Sequence, residues 1–359
     1  MARNAGRFYF DGGAASFLGT GIIAALITIC TFGMGFPFAL VLLELLLPAQ
    51  GSKRGSSRTG PGSVAVVVRV RRGADGVAGY SGRFLAGTAV LSVDGTTLDV
   101  QDTEANWARF GGPGTRDESG AGLRGGFPKV RVVTLAECGT RALIAARQGS
   151  YATCQKALTV ELLPLLGGGM LILADRNFAG YDLWGRAAAT GADLLWRVGS
   201  IFPLPVVTVL ADGSYLSSLT PPKKDRRGGA EPIVVRVVEY HLLAADGTPT
   251  EVFALISTLL EVDTAPAAEL AELYHARWQI ENAFGAFKSQ LKGDGVVLRS
   301  KTPDGAEQEL WALLCAYHSI RELICAAAEL TDQDPLRLSF IAALDAVRGP
   351  VGAPAAFPP

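Results

Sequence analysis

The chain has 359 residues, of which 49% are hydrophobic and 19% are charged, and this length suits two domains or one large domain with an insertion. Lys and Arg total 33 and Asp and Glu total 34, a net charge of -1 that argues against a polybasic protein but leaves room for a local basic groove. Five scattered cysteines without a C-x-x-C pair, and three histidines far apart, disfavour a disulfide framework or a zinc site and favour a reducing cytosol.

The first 50 residues differ in composition from the rest of the chain. Residues Ser16 to Leu43 carry no charged side chain, and this run is long enough to span a bilayer as a helix. A basic cluster at 53–58 follows and would place that flank in the cytoplasm. The alternative is a buried helical hairpin broken near Gly33–Pro37. We therefore expect an atypical apolar segment over 1–50 and a poorly ordered Gly/Arg-rich linker over 51–82.

From about Arg83 the chain alternates between strand and helix patterns. The continuous apolar run MLILA is typical of a strand buried on both faces. The predicted order of elements is βββαβαβ, which indicates an α/β fold with a mixed sheet. In chain order we expect strands at Thr88–Asp94, Val130–Leu135 and Leu143–Arg147, a helix at Tyr151–Leu165, a strand at Met170–Ala174, a helix at Ala179–Thr190 and a strand at Leu194–Val198.

A β-rich stretch interrupts this pattern at residues 200–260. Alternating apolar runs, with hairpin-type turns at Asp212-Gly213 and Asp246-Gly247, predict an all-β insertion. Helical periodicity returns at Pro266–Lys292 and at Gly305–Leu330. The predicted organisation is therefore an α/β domain in two parts, 83–199 and 261–348, around the insertion at 200–260, with a disordered tail at 349–359.

The segment ELYHARWQIENAFGAFKSQLK places polar residues along one stripe of a helix. Tyr274, Arg277, Glu281 and Lys288 fall within roughly 60° of arc on an ideal helix. An apolar stripe runs beside them, so the helix can bury one side while presenting these four side chains to a cleft. The alternative is a solvated helix face on which Arg277 and Glu281 simply form an ion pair.

Two aspartates lie where predicted strands end. Asp175 follows the most apolar strand, and the carboxyl ends of such strands are where α/β sheets place their chemistry. Its alternative role is the N-cap of the next helix. Asp94 ends the first predicted strand, and its alternative role is the tight turn typical of Asp-Gly. Neither residue is decisive singly.

The combination is more informative than its parts. Two Asp residues at the ends of strands one and four, with a Glu on a later helix, match an RNase H-like layout in which strands one and four are neighbours. Three carboxylates can hold two Mg²⁺ ions, which prefer oxygen ligands. Two such ions activate a water or hydroxyl and stabilise the leaving oxygen in phosphoryl transfer. Arg277 and Lys288 beside them would bind the phosphates of a nucleic-acid strand.

Several motifs resemble one known family. The spacing Tyr274-x2-Arg277-x3-Glu281-x6-Lys288 resembles the YREK signature of bacterial insertion-sequence transposases of the DDE type, in the family conventionally numbered four. VDGTTLDVQDTEAN resembles the block around that family's first Asp. LADRNFAGYDLW and GADLLWRVGS resemble the block around its second Asp, and LRSKTPDGAEQELWALL resembles its C-terminal helix. The similarity covers residues 83–348 in the right order.

This resemblance implies a fold, an activity and a set of site residues. The fold would be RNase H-like α/β, with a mixed five-stranded sheet, flanking helices and an all-β insertion before the catalytic Glu. The activity would be DNA transposition, in which hydrolysis at the transposon ends is followed by strand transfer by the free 3′-OH. Two Mg²⁺ ions would be required, with Mn²⁺ as a substitute. The catalytic, metal-binding residues would be Asp94, Asp175 and Glu281, and the DNA-binding residues Tyr274, Arg277, Lys288 and Arg176.

The resemblance also implies partners. These are double-stranded DNA, as inverted-repeat ends and as target, and a second copy of the chain in a homodimer on paired ends, in the cytoplasm and associated with the nucleoid. In relatives an aromatic residue of the insertion stacks on a flipped base, a role for which Tyr215, Tyr240 and Phe202 are candidates here. Trp196 is a weaker candidate and more typical of a core residue. The basic cluster 223–227 either follows DNA phosphates or is a solvated loop.

The N-terminal part departs from the family. Residues 1–82 do not resemble the helical domain that begins such transposases, which suggests a frame-disrupted 5′ region. Two alternatives to an active transposase stay open: an inactive remnant without its DNA-recognition domain, and a nuclease or binding protein anchored in a membrane by Ser16–Leu43. A glycosidase with paired carboxylates is disfavoured, because Arg277 and Lys288 beside Glu281 suit phosphate better than sugar.

Overall fold

The computed structural model describes residues 7–10, 65–68, 88–116, 122–200, 202–243 and 249–351. The apolar run Ser16–Leu43, for which a membrane span was one alternative, lies outside these residues. Two short strands from the N-terminal part, β1 (Arg7–Phe10) and β2 (Ala65–Val68), pair with each other in parallel. Strand β2 falls within the predicted linker at 51–82, so that part of the linker has regular structure.

The chain from Thr88 onwards confirms the predicted alternation of strands and helices. Helix α1 and the short hairpin β4–β5 are additions that the sequence patterns did not predict. The elements of this part are β3 (Ala89–Asp99), α1 (Glu104–Phe110), β4 (Gly114–Arg116), β5 (Gly122–Arg124), β6 (Lys129–Glu137), β7 (Leu143–Ser150), α2 (Gln155–Val160), a 3₁₀ turn (Leu163–Leu165), β8 (Met170–Ala174), α3 (Tyr181–Ala188) and β9 (Asp193–Val198).

Five of these strands form one end of a mixed sheet in the order β7-β6-β3-β8-β9. Strand β3 pairs in parallel with β8, and β8 in parallel with β9, while β6 and β7 are antiparallel additions on the other side. This order places the first strand of the five beside the fourth, as predicted. The mixed α/β architecture with flanking helices is consistent with an RNase H-like transposase.

The insertion corrects the prediction of a five-stranded sheet with a separate all-β unit. Strand β13 pairs antiparallel with β9, so that in the described residues one sheet of nine strands runs from β10 to β7. Since β9 would otherwise be an edge strand with unpaired backbone groups, β13 satisfies those groups. The insertion also contains one short helix. Its elements are β10 (Thr208–Val209), β11 (Tyr215–Leu219), α4 (Lys223–Arg226), β12 (Ile233–Leu243) and β13 (Pro249–Ser257).

The predicted helix Pro266–Lys292 exists, but it is not one uniform α-helix. Its 3₁₀ and π turns occur within the stretch that carries the YREK residues. The following helix confirms the prediction at Gly305–Leu330, and a last helix extends into the predicted tail at 349–359. These elements are α5 (Ala267–Tyr274), a 3₁₀ turn (His275–Arg277), α6 (Trp278–Gly285), a π turn (Ala286–Leu291), α7 (Pro303–Thr331) and α8 (Phe340–Val351).

Helix α7 is a long core helix. The Thr302 side chain caps its start by accepting a hydrogen bond from the Gly305 N–H, and Pro303 occupies a first-turn position that needs no donor. Among the described residues, α7 alone is long and apolar enough to cross a membrane by length and composition. Half of its most apolar stretch is buried, and Leu310, Tyr317 and Ile320 pack in the hydrophobic core, as in the core helix of a globular domain.

The alternation of side chains along β3 sets up the site. Leu91 and Val93 point into the layer of α2 and α3. Val90, Leu98 and Val100 point to the opposite face, where they pack in the clusters that contain residues of α5, α6 and α7. Because successive side chains alternate between faces, positions 94 and 96 also face the α5–α6 layer.

Candidate active site

Asp94 lies in the middle of β3 and not at its end. The strand continues to Asp99, because β6 pairs with it as far as Asp99 opposite Lys129. The prediction that strand one ends at Asp94 is therefore wrong, and so is the alternative that Asp94 belongs to a tight Asp-Gly turn. The parallel neighbour β8, however, pairs with β3 only up to Val93 opposite Ala174. Asp94 is therefore the first β3 residue beyond the end of β8, directly beside the position of Asp175.

Asp175 follows β8 as predicted, and it does not cap the next helix. Helix α3 begins at Tyr181 with Gly180 in the N-cap position, so Asp175 lies too far upstream for the N-cap role. Its carboxylate instead accepts hydrogen bonds from the backbone N–H and the side-chain amide of Asn177, at 2.9 and 2.8 Å. These bonds hold the carboxylate at the carboxyl end of a buried strand.

Tyr274 joins the segment that carries the predicted catalytic Glu281 to β8. This segment comprises α5, the 3₁₀ turn, α6 and the π turn, and is called the catalytic helix unit below. It is the last residue of α5 and is only 5% exposed. Its hydroxyl donates a hydrogen bond to the carbonyl oxygen of Ala174 at 3.1 Å. This contact fixes the end of α5 next to Asp175, and burial raises the pKa of the Tyr274 phenol well above its usual range.

Arg277 lies between two of the predicted catalytic acids. Its Nη2 atom is 2.9 Å from Oε1 of Glu281, and its Nη1 atom is 3.9 Å from Oδ2 of Asp94. The side chain of Arg277 is 14% exposed. The ion pair between Arg277 and Glu281 that the alternative interpretation predicted thus exists. It faces Asp94 of β3, however, and not bulk solvent.

The surroundings of Asp94 shift the pKa of its carboxyl group. Burial raises the pKa of Asp94 from 3.8 to about 6, and the nearby carboxylates of Asp175 and Glu281 contribute to the shift. The hydrogen bond from the Gly95 N–H and the charge of Arg277 oppose it. The three predicted triad residues are therefore close enough to interact, although they come from β3, the end of β8 and α6.

Lys288 reaches the same face of β3 from the π turn. Its Nζ atom donates a hydrogen bond to Oγ1 of Thr96 at 3.2 Å, two residues beyond Asp94 on the strand. Both side chains are half-buried. All four residues of the YREK spacing are thus brought to one side of the sheet around Asp94 and Asp175.

A cleft of about 440 Å³ opens beside these residues. Arg176, the predicted DNA contact next to Asp175, is exposed and lines it. The cleft combines residues that follow β8, Arg197 of β9, residues of the insertion and residues of the catalytic helix unit. It is lined by Asp175, Arg176, Asn177, Arg197, Tyr240, Phe253, Tyr274, His275, Arg277 and Trp278.

The structure separates the candidate stacking residues. Tyr240 lines the cleft, where its ring stacks on Phe253 with centroids 5.4 Å apart. Tyr215 is hydrogen-bonded to Glu239, and Phe202 packs against the hydrophobic core on the α2–α3 face. Trp196 is 1% exposed and is a core residue, so the weaker suggestion that it stacks on DNA is wrong. The basic cluster 223–227 is not part of the cleft lining within the described residues.

Five residues that line the cleft were not predicted from the sequence: Asn177, Arg197, Phe253, His275 and Trp278. The guanidinium of Arg197 lies 3.9 Å above the Phe253 ring, and strand alternation puts Arg197 on the same face of β9 as the buried Leu195. That alternation was a usable signal. His275 and the exposed Trp278 neighbour the YREK residues in sequence, but no pattern distinguished them from other helical positions.

Within the described ranges, no three or more His, Cys, Asp or Glu side chains are arranged so that they could hold a metal ion. Glu281 is instead engaged by Arg277. The chemistry of the donor set nevertheless suits a hard divalent cation, since Asp94, Asp175 and Glu281 supply only carboxylate oxygens. Burial is the main cause of the raised pKa of Asp94, and a cation would stabilise its ionised carboxylate against both this burial and the neighbouring carboxylates.

Comparison with known proteins identifies the family. A family model described as a transposase DDE domain matches residues 86–318. The chain is 27% identical over 259 residues to the transposase InsG of insertion sequence element IS4 from Escherichia coli (strain K12), a match that covers 71% of this chain and 56% of InsG. The chain thus spans about half the length of that relative.

Two further relatives match a shorter stretch. The chain is 33% identical over 130 residues to the putative transposase InsL of element IS186A from Escherichia coli (strain K12), and equally to the transposase of element IS421 from Escherichia coli. These matches cover 36% of this chain and 32% of each relative. Because the DDE model matches well over half of the chain, in the region that holds the site, the chain belongs to the DDE transposase family of insertion sequences.

Proposed function

We propose that this chain cleaves the ends of its insertion sequence and joins them to target DNA. The observation that carries the proposal is the convergence of Asp94, Asp175 and Glu281 around Arg277 beside an open cleft. The reaction is hydrolysis of a phosphodiester at each transposon end, which frees a 3′-OH. That hydroxyl then attacks a target phosphodiester, so that one P–O bond forms as another breaks.

Asp94, Asp175 and Glu281 would hold two Mg²⁺ ions, or Mn²⁺ as a substitute. When bound, the metal supplies activation of the attacking oxygen and stabilisation of the leaving oxygen. The protein's own part is to hold the three carboxylates on separate elements. The hydrogen bond from Tyr274 to the carbonyl oxygen of Ala174 keeps the end of α5 next to the end of β8. A phosphate that competes for Arg277 would release Glu281 for this role.

The DNA partner follows from the cations and aromatic rings around the acids. Arg277, Lys288 and Arg176 would bind phosphates of the transposon-end strand, because Arg offers paired donors and Lys a compact charge. Of the three candidates Tyr215, Tyr240 and Phe202, Tyr240 is the best placed to stack on an unpaired base, since it lines the cleft that Asp175 also lines. We propose a homodimer on paired DNA ends, acting in the cytoplasm.

The decisive experiment uses the full chain, Mg²⁺ and a duplex that carries the inverted-repeat end read from the DNA flanking the gene. We expect nicking and joining by the wild type, and loss of both in Asp175→Asn and Glu281→Gln with melting temperatures close to that of the wild type. Asp182→Asn, an exposed acid on α3, is the matched control and should keep activity. A folded wild type that binds the ends without cutting them would favour the inactive remnant.

A further inference from the structure

We infer that Thr96 is a positioning residue that holds Lys288 ready for a DNA phosphate beside the catalytic acids. The inference rests on the proposed function of the site and adds a residue to it. Its basis is the hydrogen bond from Nζ of Lys288 to Oγ1 of Thr96 at 3.2 Å. Thr96 lies on β3 and Lys288 in the π turn, so the contact bridges the sheet and the catalytic helix unit.

The position of Thr96 on β3 determines which face of the sheet holds the Lys288 ammonium. Side chains two apart on a strand point to the same face, so Thr96 and Asp94 both face the α5–α6 layer. The Thr97 side chain faces the opposite layer, and its hydroxyl forms no hydrogen bond within the described part of the chain. The hydrogen bond to Thr96 therefore keeps the Lys288 ammonium on the face of β3 that carries Asp94, where the DNA phosphate would react.

The π turn completes the geometry from the helix side. Phe287 and Leu291 of this turn are buried in the core, which fixes its rotation, while Lys288 between them is half-buried. Turns of this kind are often found at functional sites. The backbone at Lys288 is thus held in place by buried neighbours, and Thr96 orders the long flexible side chain.

Ordering Lys288 has a chemical benefit for binding. An ammonium group has three donors and the Thr96 hydroxyl accepts one, which leaves two for phosphate oxygens. A free lysine loses considerable rotamer entropy when it is immobilised on a ligand. Since Thr96 already restricts these rotamers, part of that cost is met before DNA arrives.

The test compares Thr96→Val, which keeps the branched shape without the hydroxyl, with Thr96→Ser, which keeps the hydroxyl, and with the control Thr97→Val. Affinity for end DNA is measured by fluorescence anisotropy at several salt concentrations. We expect Thr96→Val to bind about 5- to 10-fold more weakly. Thr96→Ser should recover most of this loss, and Thr97→Val should change affinity by less than about twofold.

A double mutant separates positioning from a general structural effect. In the background of Lys288→Ala, the substitution Thr96→Val should cost little further affinity, because its partner is already missing. Wild-type affinity in Thr96→Val, or losses that add fully in the double mutant, would overturn the inference. Failure of the wild type to nick DNA would reject the proposed function instead, while the binding comparison would still decide the role of Thr96. A wild type that binds no DNA would reject both.

Discussion

The hydroxyl of Tyr274 donates a hydrogen bond to the carbonyl oxygen of Ala174 across 3.1 Å. Ala174 ends β8, and Asp175 follows it. Tyr274 ends α5, and the 3₁₀ turn with Arg277 follows it. One buried hydrogen bond therefore sets the distance between Asp175 and the residues that surround Glu281.

Tyr274→Phe tests this bond. The substitution removes the donor and leaves the Ala174 carbonyl oxygen buried beside an apolar ring, which should lower the free energy of unfolding by about 1–3 kcal/mol. The rate of end nicking should fall by a larger factor than DNA affinity does, because the placement of Arg277 and Glu281 is disturbed. Urea denaturation and single-turnover nicking measure the two effects. Tyr215→Phe, which removes a hydroxyl bonded to the side chain of Glu239, is the control, and equal effects in both variants would contradict the assigned role.

Asp94→Asn should stabilise the chain in the absence of metal, and the gain should depend on pH. The folded-state pKa of about 6 lies above the ordinary 3.8, so the ionised carboxylate is less favourable in the folded chain than in the unfolded chain. This cost is absent below pH 3.8, develops between pH 3.8 and about 6 and is complete above it, where it amounts to at most about 3 kcal/mol.

We therefore expect Asp94→Asn to raise the free energy of unfolding by about 1–3 kcal/mol at pH 8 and by about half as much at pH 5. Urea denaturation in EDTA at both pH values measures the difference from the wild type. The exposed Asp182→Asn serves as the control and should change stability by less than about 1 kcal/mol at either pH. A loss of stability in Asp94→Asn at pH 8 would mean that Asp94 supports the fold and does not strain it.

The sequence was sufficient to place Asp94 beside Asp175. The apolar run at Met170–Ala174 and the order of strands and helices determine a mixed sheet, and the layout with the first and fourth strands as neighbours brings the two acids together. The end of β3 was missed because Asp-Gly favours a turn locally. Its continuation to Asp99 depends on hydrogen bonds to β6, whose paired residues lie at least thirty positions further along the chain.

Long-range pairing also explains the other differences. The strand pattern of the insertion predicts strands but not their partner, and only the pairing of β13 with β9 shows that they extend the central sheet. The prediction that the four YREK residues share one helical stripe assumed an ideal, uniform α-helix. The 3₁₀ and π turns follow from tertiary contacts, such as those of Tyr274 and Lys288, that no local pattern records.

A buried ion pair links the insertion to the start of the catalytic helix unit. Arg236 of β12 is fully buried and pairs with Asp212. It also donates hydrogen bonds to Oγ of Ser214 at 2.8 Å and to the carbonyl oxygen of Ala265 at 2.6 Å. Asp212 in turn accepts a hydrogen bond from the backbone N–H of Ala267, the first residue of α5, at 2.8 Å.

Arg236→Met should lower the free energy of unfolding by about 3–5 kcal/mol, because it leaves the Asp212 carboxylate and several carbonyl oxygens without their donor. The matched control is Arg186→Met, which removes an exposed ion pair with Asp182 and should cost less than about 1 kcal/mol. Chemical denaturation of both variants gives the comparison. Equal, small losses would show that solvent replaces the missing guanidinium at Arg236.

Tyr240 allows a test of base stacking at the cleft. Burial raises its pKa to about 12, so the ring is neutral at working pH, and its hydroxyl has no hydrogen-bond partner within the described residues. Tyr240→Phe should therefore keep both stability and DNA affinity, since only an unused hydroxyl is lost. Tyr240→Ala removes the ring that a base would stack on and should weaken binding of a DNA end with an unpaired terminal base by about 1–3 kcal/mol.

Fully paired DNA should be affected less by Tyr240→Ala, because its bases are already stacked. The control is Tyr215→Ala, away from the cleft lining, which should discriminate little between the two DNAs. If Tyr240→Ala weakened both DNAs equally, its ring would serve to support Phe253 and the cleft wall and would not contact a base.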